Sequence, residues 1–227
     1  MTFHIITIFP EIFNSYFKEG ILRRAQQKKK IKIKIYNLRD FTDDKRKTVD
    51  DRPFGGGPGM VLKVEPILKA INKIKKICPE RSRKIILLSA KGKKFDQKKA
   101  KTLTKFKNII LICGRYEGVD ERVAKHIANE EISIGDYILS GGELGAMVIV
   151  ETVSRLISGV LGNEESIEEN RYNKKQNTRK NIQAVGSYPV YTRPEEIKIE
   201  KKKRGVPKVL LSGDHKKIEK WRSKQAK

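Results

Sequence analysis

Apolar residues in this chain come in short runs, and the spacing within the runs changes along the sequence. Phe3–Ile8 is a compact β-rich run. Pro10 then opens a helical pattern with Ile12, Phe13, Tyr16, Phe17, Ile21 and Leu22 on one face. Ile31–Ile35 alternates apolar and basic residues and predicts a strand. Residues 40–60 read as a long polar, glycine-rich loop, and Pro66 opens a second helix through Ile67, Leu68, Ile71 and Ile74. Further on, the pattern predicts strands at Lys84–Leu88, Asn108–Cys113 and Ile132–Ile134. It predicts helices at 94–104, Val119–Ala128 and Gly145–Ile157. Strands alternating with helices predict an α/β fold with a mainly parallel sheet covered on both faces.

The pattern changes near Glu164. Residues 171–204 hold 11 basic and 3 acidic side chains with little apolar content and read as a flexible cationic linker. From about Val206 a short apolar run and a helix ending at Trp221-Arg222 form a tail too small to fold robustly alone.

Composition adds three constraints. The 227 residues allow one medium domain plus a small appendage. Fifty-one basic against 27 acidic residues give a net charge of +24, which calls for a polyanionic partner, nucleic acid first. No apolar run is long enough to span a bilayer, and no basic leader precedes the first apolar run, so no membrane association and a cytoplasmic location are expected. Cys78 and Cys113 are expected to stay reduced, and His4, His126 and His215 are scattered, so no His or Cys metal site is read.

Candidate chemistry concentrates in strand-to-helix loops, because open α/β sheets bind ligands beyond the carboxyl ends of their strands. Three such loops are unusual: Ser89-Ala90-Lys91-Gly92, Gly114-Arg115-Tyr116-Glu117-Gly118, and Ser133 through Glu143. Their glycines let main-chain groups approach a ligand, and Ile134, Tyr137, Ile138 and Leu139 offer faces to a planar ring. A dinucleotide fingerprint, a P-loop and a serine-hydrolase elbow are all absent. A second constellation, Asp50-Asp51-Arg52-Pro53-Phe54-Gly55-Gly56-Gly57-Pro58-Gly59-Met60, pairs carboxylates and an arginine with a hinged loop. A carboxylate there suits guanine N1–H and N2–H₂, and arginine suits phosphate or the O6/N7 edge.

Arg46–Met60, Cys113–Arg122, Ser133–Glu143, Val153-Ser154-Arg155 with Gly159–Gly162, Tyr191–Pro194, and Leu210–His215 with Trp221-Arg222 together resemble the bacterial tRNA (guanine-N1-)-methyltransferase family (TrmD), of the SPOUT superfamily. The resemblance covers nearly the whole chain in order. It implies a knotted α/β domain over 1–163, with a deep trefoil knot, that binds S-adenosylmethionine. It also implies a basic linker or insert over 164–185 and a small helical tRNA-binding domain over 186–227. Implied too are a homodimer with interfacial active sites, a tRNA substrate with guanosine at position 37 preceded by another guanosine, a role in reading-frame maintenance, and a requirement for magnesium with no ligand set identified.

Carried over by position, the cofactor residues are Ser89, Gly114, Tyr116, Glu117, Ile134, Gly135, Asp136, Tyr137, Ile138, Leu139, Gly141 and Gly142. Glu117 is the candidate for the methionine amine. Asp50 and its loop match the region that handles the target base, and Arg155 matches the arginine beside it. The family's general-base aspartate falls on Asn170, which cannot take a proton at neutral pH. Glu169 is assigned that role, with Glu168 as the neighbouring candidate. Three other readings stand beside this one: an inactive RNA-binding paralogue, a knotted methyltransferase acting on another RNA, and a generic nucleotide-binding α/β protein.

Overall fold

A computed structural model describes residues 1–161 and 188–225, which fall into two compact units, Met1–Glu164 and Glu165–Lys227. The first unit is built on a five-stranded sheet of order β2-β1-β6-β5-β7, from β1 (Thr2–Thr7), β2 (Lys32–Asn37), β5 (Arg83–Lys94), β6 (Asn108–Cys113) and β7 (Glu130–Ser133). All four pairings are parallel. The expected parallel sheet is therefore present. Its strands read as near-continuous apolar runs because both faces are covered.

Alternation along each strand divides the core in two. Phe3, Ile5, Ile86, Leu88, Ile109, Leu111 and Cys113 face α1 (Phe13–Phe17), α2 (Gly20–Gln27), α4 (Gln97–Leu103) and α6 (Glu143–Arg155). Ile6, Ile85, Leu87, Ile110 and Ile112 face α3 (Val64–Lys75) and α5 (Glu121–His126). Burying one such side chain contributes about 1.5–3 kcal/mol. Helix α6 is the most deeply set, with Ala146, Met147, Ile149, Val150 and Val153 all buried.

Four local expectations are corrected. The helix read from Pro10 through Leu22 is a 3-10 turn at Pro10–Ile12 followed by α1 and α2. Gly20, the first residue of α2, has φ +56, a left-handed conformation that interrupts a single helix. The strand read as ending at Leu88 continues to Lys94, so Ser89–Gly92 lies inside β5 and is not a strand-to-helix loop. Both Leu88 and Lys93 pair with Ile132 of β7, so the four residues between them leave the ladder and return to the same partner. Gly92 makes the return possible, because a Cβ there would lie 2.6 Å from the Ile132 backbone nitrogen.

The other two corrections concern the tail. Within the stretch read as linker, residues 196–205 form an antiparallel hairpin of β8 (Glu196–Ile199) and β9 (Lys202–Gly205), so the second unit is not purely helical. Glu200 and Lys201 turn the chain with φ +51 and +64, as a two-residue hairpin of primed type requires, and Glu196 pairs across the strands with Lys203 at 2.9 Å. Two helices follow, α7 (Lys208–Leu211) and α8 (His215–Gln225). Among the described residues no helix is long and apolar enough to cross a membrane.

His4 and Cys78 meet at the amino-terminal edge of the sheet. His4 is buried, with Nδ1 2.9 Å from the Tyr36 hydroxyl and Nε2 3.5 Å from Cys78 Sγ. Burial holds its imidazole below the usual 6.5, a shift that Asn108 opposes and nearby Lys34 reinforces. Below about pH 6.5 the unfolded chain takes up a proton that the folded chain refuses, so stability falls as pH is lowered through that value. The thermal midpoint is expected to decline between about pH 7 and about pH 5.5. His4→Gln should flatten that slope while lowering the midpoint at neutral pH; an unchanged slope in this variant would assign the titration elsewhere.

Candidate active site

Beside the excursion in β5 and beyond the carboxyl ends of β6 and β7 lies a cavity of about 450 Å³. Its walls are the three glycine-bearing segments. Leu88 through Lys91 come from the β5 excursion, Gly114 through Val119 from the loop after β6, and Ile134 with Tyr137 through Gly142 from the loop after β7. Two of these segments are fastened backbone to backbone. The Gly142 amide donates to the Gly114 carbonyl at 2.9 Å, and a Cβ on Gly142 would lie 2.8 Å from the Cys113 Cα. No other residue type permits that approach.

A buried ion pair fixes the floor. Glu143, the first residue of α6, is 1% exposed. One carboxylate oxygen accepts from Thr7 Oγ1 at 2.7 Å, the other from Arg115 Nε at 2.9 Å. The Arg115 guanidinium lies over the Phe9 ring at 4.8 Å and donates to the Ser140 carbonyl at 3.3 Å. The neighbouring Cys113 thiol is pushed well up, first by burial and then by the Glu143 charge, so it stays a neutral packing group. Arg115 and Glu143 were not singled out from sequence. The available signal was one carboxylate directly after Gly141-Gly142, at the head of an otherwise apolar helix. In the loop after β6, Asp120 pairs with Arg122, Oδ2 lying 2.7 Å from Nη2.

Ser89, Gly114, Tyr116, Glu117, Ile134, Tyr137, Ile138, Leu139, Gly141 and Gly142 all line the cavity. Gly135 and Asp136 do not. Gly135 lies beneath the Tyr137 ring, where a Cβ would come within 2.2 Å of a ring carbon, and the Tyr137 hydroxyl donates back to the Ile134 carbonyl at 3.1 Å. Asp136 turns outward to an ion pair with Lys94.

Asp50 is outside the cavity wall but fastened to it. The short strands β3 (Asp50–Asp51) and β4 (Val61–Leu62) pair, the Leu62 amide donates to the Gly118 carbonyl, and the Glu117 amide donates to the Met60 carbonyl, both at 3.0 Å. The glycine-rich loop between them therefore springs from the rim. Phe54 stands fully exposed on it. Arg155 ends α6 and is not among the residues that line the cavity; it follows the lining residue Gly145 by ten positions, roughly 15 Å at 1.5 Å per residue. Glu168, Glu169 and Asn170 lie outside the described residues.

Residues 1–227 match the family described as tRNA (Guanine-1)-methyltransferase TrmD. The chain belongs to this family. A tRNA (guanine-N(1)-)-methyltransferase of Dictyoglomus turgidum is 51% identical over 98% of this chain and 83% of its own length. One of the same description from Clostridioides difficile is 48% identical over all of this chain and 92% of its own. The solved structure of the tRNA (m1G37) methyltransferase from Aquifex aeolicus superposes with a TM-score of 0.76 at 40% identity, covering 97% of this chain and 87% of that one.

Removing one partner of a buried pair strands the other's charge. Glu143→Ala is therefore expected to lower unfolding stability by about 3–5 kcal/mol, measured by denaturant titration. A loss below about 1 kcal/mol would mean that water reaches Arg115 freely.

Proposed function

We propose that this chain transfers a methyl group from S-adenosylmethionine to N1 of guanosine 37 in tRNA, where guanosine precedes it, in the cytoplasm and in support of reading-frame maintenance. The observation that carries the reading is a cavity formed by three glycine-bearing segments, in a chain that matches a guanine-1 methyltransferase family over its whole length. The residues fit the donor. Main-chain groups around Gly114 and Gly141-Gly142 suit an adenine edge, Ile134, Tyr137 and Leu139 suit its faces, and Glu117 suits the methionine amine. When bound, the sulfonium supplies an activated methyl group.

Guanine N1 carries a proton and is a poor nucleophile until that proton leaves and charge moves toward O6. Glu169, or Glu168 beside it, takes the proton. General-base help of this kind is worth about 10²–10⁴ in rate. Arg155 holds its guanidinium against the growing charge on O6, a term of about 10²–10³ when aimed in advance. Asp50 and the loop after it receive the target base. A requirement for magnesium belongs to the same reading, with its ligands unassigned; among the described residues no group of three or more His, Cys, Asp or Glu could hold a metal.

We also infer a homodimer with shared sites. Arg155 does not line the cavity of its own chain, so on this reading a second copy contributes it. Leu144 and Val148 are 54% and 40% exposed on α6, beside the exposed Phe9, Ile12 and Tyr16, and such a patch favours burial against another chain. The trefoil knot is inferred on two grounds: β7 joins the sheet on the far side of β5 from β6, and the chain then returns to Gly114. The domain limits proposed are 1–163 for the knotted part, 164–185 for the linker and 186–227 for the tRNA-binding part. The basic hairpin residues Lys198, Lys201, Lys202, Lys203 and Arg204 support the last assignment.

Labelled S-adenosylmethionine and a tRNA transcript test the reading. Transfer is expected to guanosine 37 and to vanish on replacement by adenosine. Arg155→Ala should cut the rate by about 10² while donor affinity holds. Glu169→Gln should cut it by about 10²–10⁴. Donor binding without transfer by the unaltered protein would favour the inactive RNA-binding paralogue, which Asn170 at the family's aspartate position motivates.

A further inference from the structure

The β5 excursion carries a contact that the reaction scheme does not use. Its two ends are pinned to one residue of β7, Ile132, so residues 89–91 project as a short span between fixed points. Lys91 on that span reaches the opposite wall, with Nζ 2.6 Å from Glu121 Oε2 on the first residue of α5. Both side chains line the cavity, yet they remain 63% and 51% exposed, which locates the pair at the mouth. Each strengthens the other's charge. The Glu121 carboxylate holds the Lys91 ammonium above its usual range, with Glu131 adding to it, and Lys91 holds Glu121 below the carboxylate range. The outward pair Lys94–Asp136 ties the end of the same strand to the loop after β7. The mouth is thus crossed by a lysine–carboxylate pair, and the segment bearing the lysine is braced on its other side.

We propose that Lys91 is a positioning residue for the methyl donor: paired with Glu121, it closes the cavity mouth and sets how long donor and demethylated product remain bound. The proposal rests on the reading of this cavity as the donor site. An exposed pair shifts an equilibrium by a factor of about two to five and weakens as salt screens it. The effect belongs in the release rate, because opening the mouth requires breaking the pair, whereas the buried walls contact the ligand either way.

The test is stopped-flow displacement of S-adenosylmethionine and of S-adenosylhomocysteine from the full-length protein at low and high salt. Lys91→Ala and Glu121→Ala are expected to release both ligands about two- to fivefold faster at low salt and to converge with the unaltered protein at high salt. Lys91→Arg should restore slow release, as should the exchanged pair Lys91→Glu with Glu121→Lys. Lys69→Ala, which removes a surface pair with Asp43 elsewhere on the unit, should leave release unchanged. Release rates in the alanine variants equal to the unaltered protein's at both salt concentrations would overturn the proposal. So would faster release that neither arginine nor the exchanged pair corrects. If the unaltered protein binds neither ligand, the donor-site reading fails and this proposal with it; binding with insensitive release sinks the proposal alone.

Discussion

The Glu143 carboxylate holds three distant parts of the chain in one place. It accepts from Thr7 on the first strand and from Arg115 in the loop after β6, and it belongs to the first turn of α6. A carboxylate this buried is tolerable only with its charge paired and its oxygens satisfied. Its position at a helix N-terminus adds favourable alignment with the helix dipole. The consequence is geometric. With Glu143 fixed, Gly142 has one place to go, against Cys113 and Gly114, and the loop after β7 must arch over the space between them. The cavity is the room left under that arch.

This explains why some of the molecule was legible in sequence and some was not. Strands buried on both faces announce themselves as apolar runs, and Asn108–Cys113 could be bounded to the residue. Helices with one buried stripe were equally visible, apart from the Gly20 interruption, which depends on a backbone angle that sequence does not reveal. The β5 excursion was hidden for a different reason. Ser89–Gly92 reads as a loop by composition, and only the pairing of Leu88 and Lys93 with one residue of a distant strand returns it to the sheet. The hairpin at 196–205 was masked by its lysines. Ile197 and Ile199 alternate correctly, but with every position exposed no buried face supported the pattern.

At the site, glycine was the informative residue because close backbone approach leaves few substitutes. Most of the residues assigned to the donor from the three loops line the cavity. Gly135 and Asp136 do not line it: in a tight loop not every residue can face inward, and the Tyr137 ring takes the space in front of Gly135. Tertiary pairing was beyond reach, since nothing local joins Thr7 to Glu143 across 136 positions. Arg155 is the opposite case. It sits at the end of α6 and outside the cavity lining, and its assigned role acquires meaning only under the proposed pairing of two copies.

Charge is distributed in a way that composition alone would have misjudged. In a chain of net charge +24, the cavity lining carries Lys91 and Arg115 against Glu117, Glu121 and Glu131. Both cations are already committed, Lys91 to Glu121 and Arg115 to Glu143. One Glu131 oxygen is buried without a hydrogen-bond partner. The cavity is therefore an acid-leaning pocket in a basic protein. On the proposed reading the two signs serve two ligands. The basic exterior attracts a polyanion over distances of about a Debye length, while the interior favours a small cation. A sulfonium donor carries one more positive charge than the thioether it becomes, so the acidic lining holds the donor better than the product, and methyl transfer itself weakens the grip on what must leave.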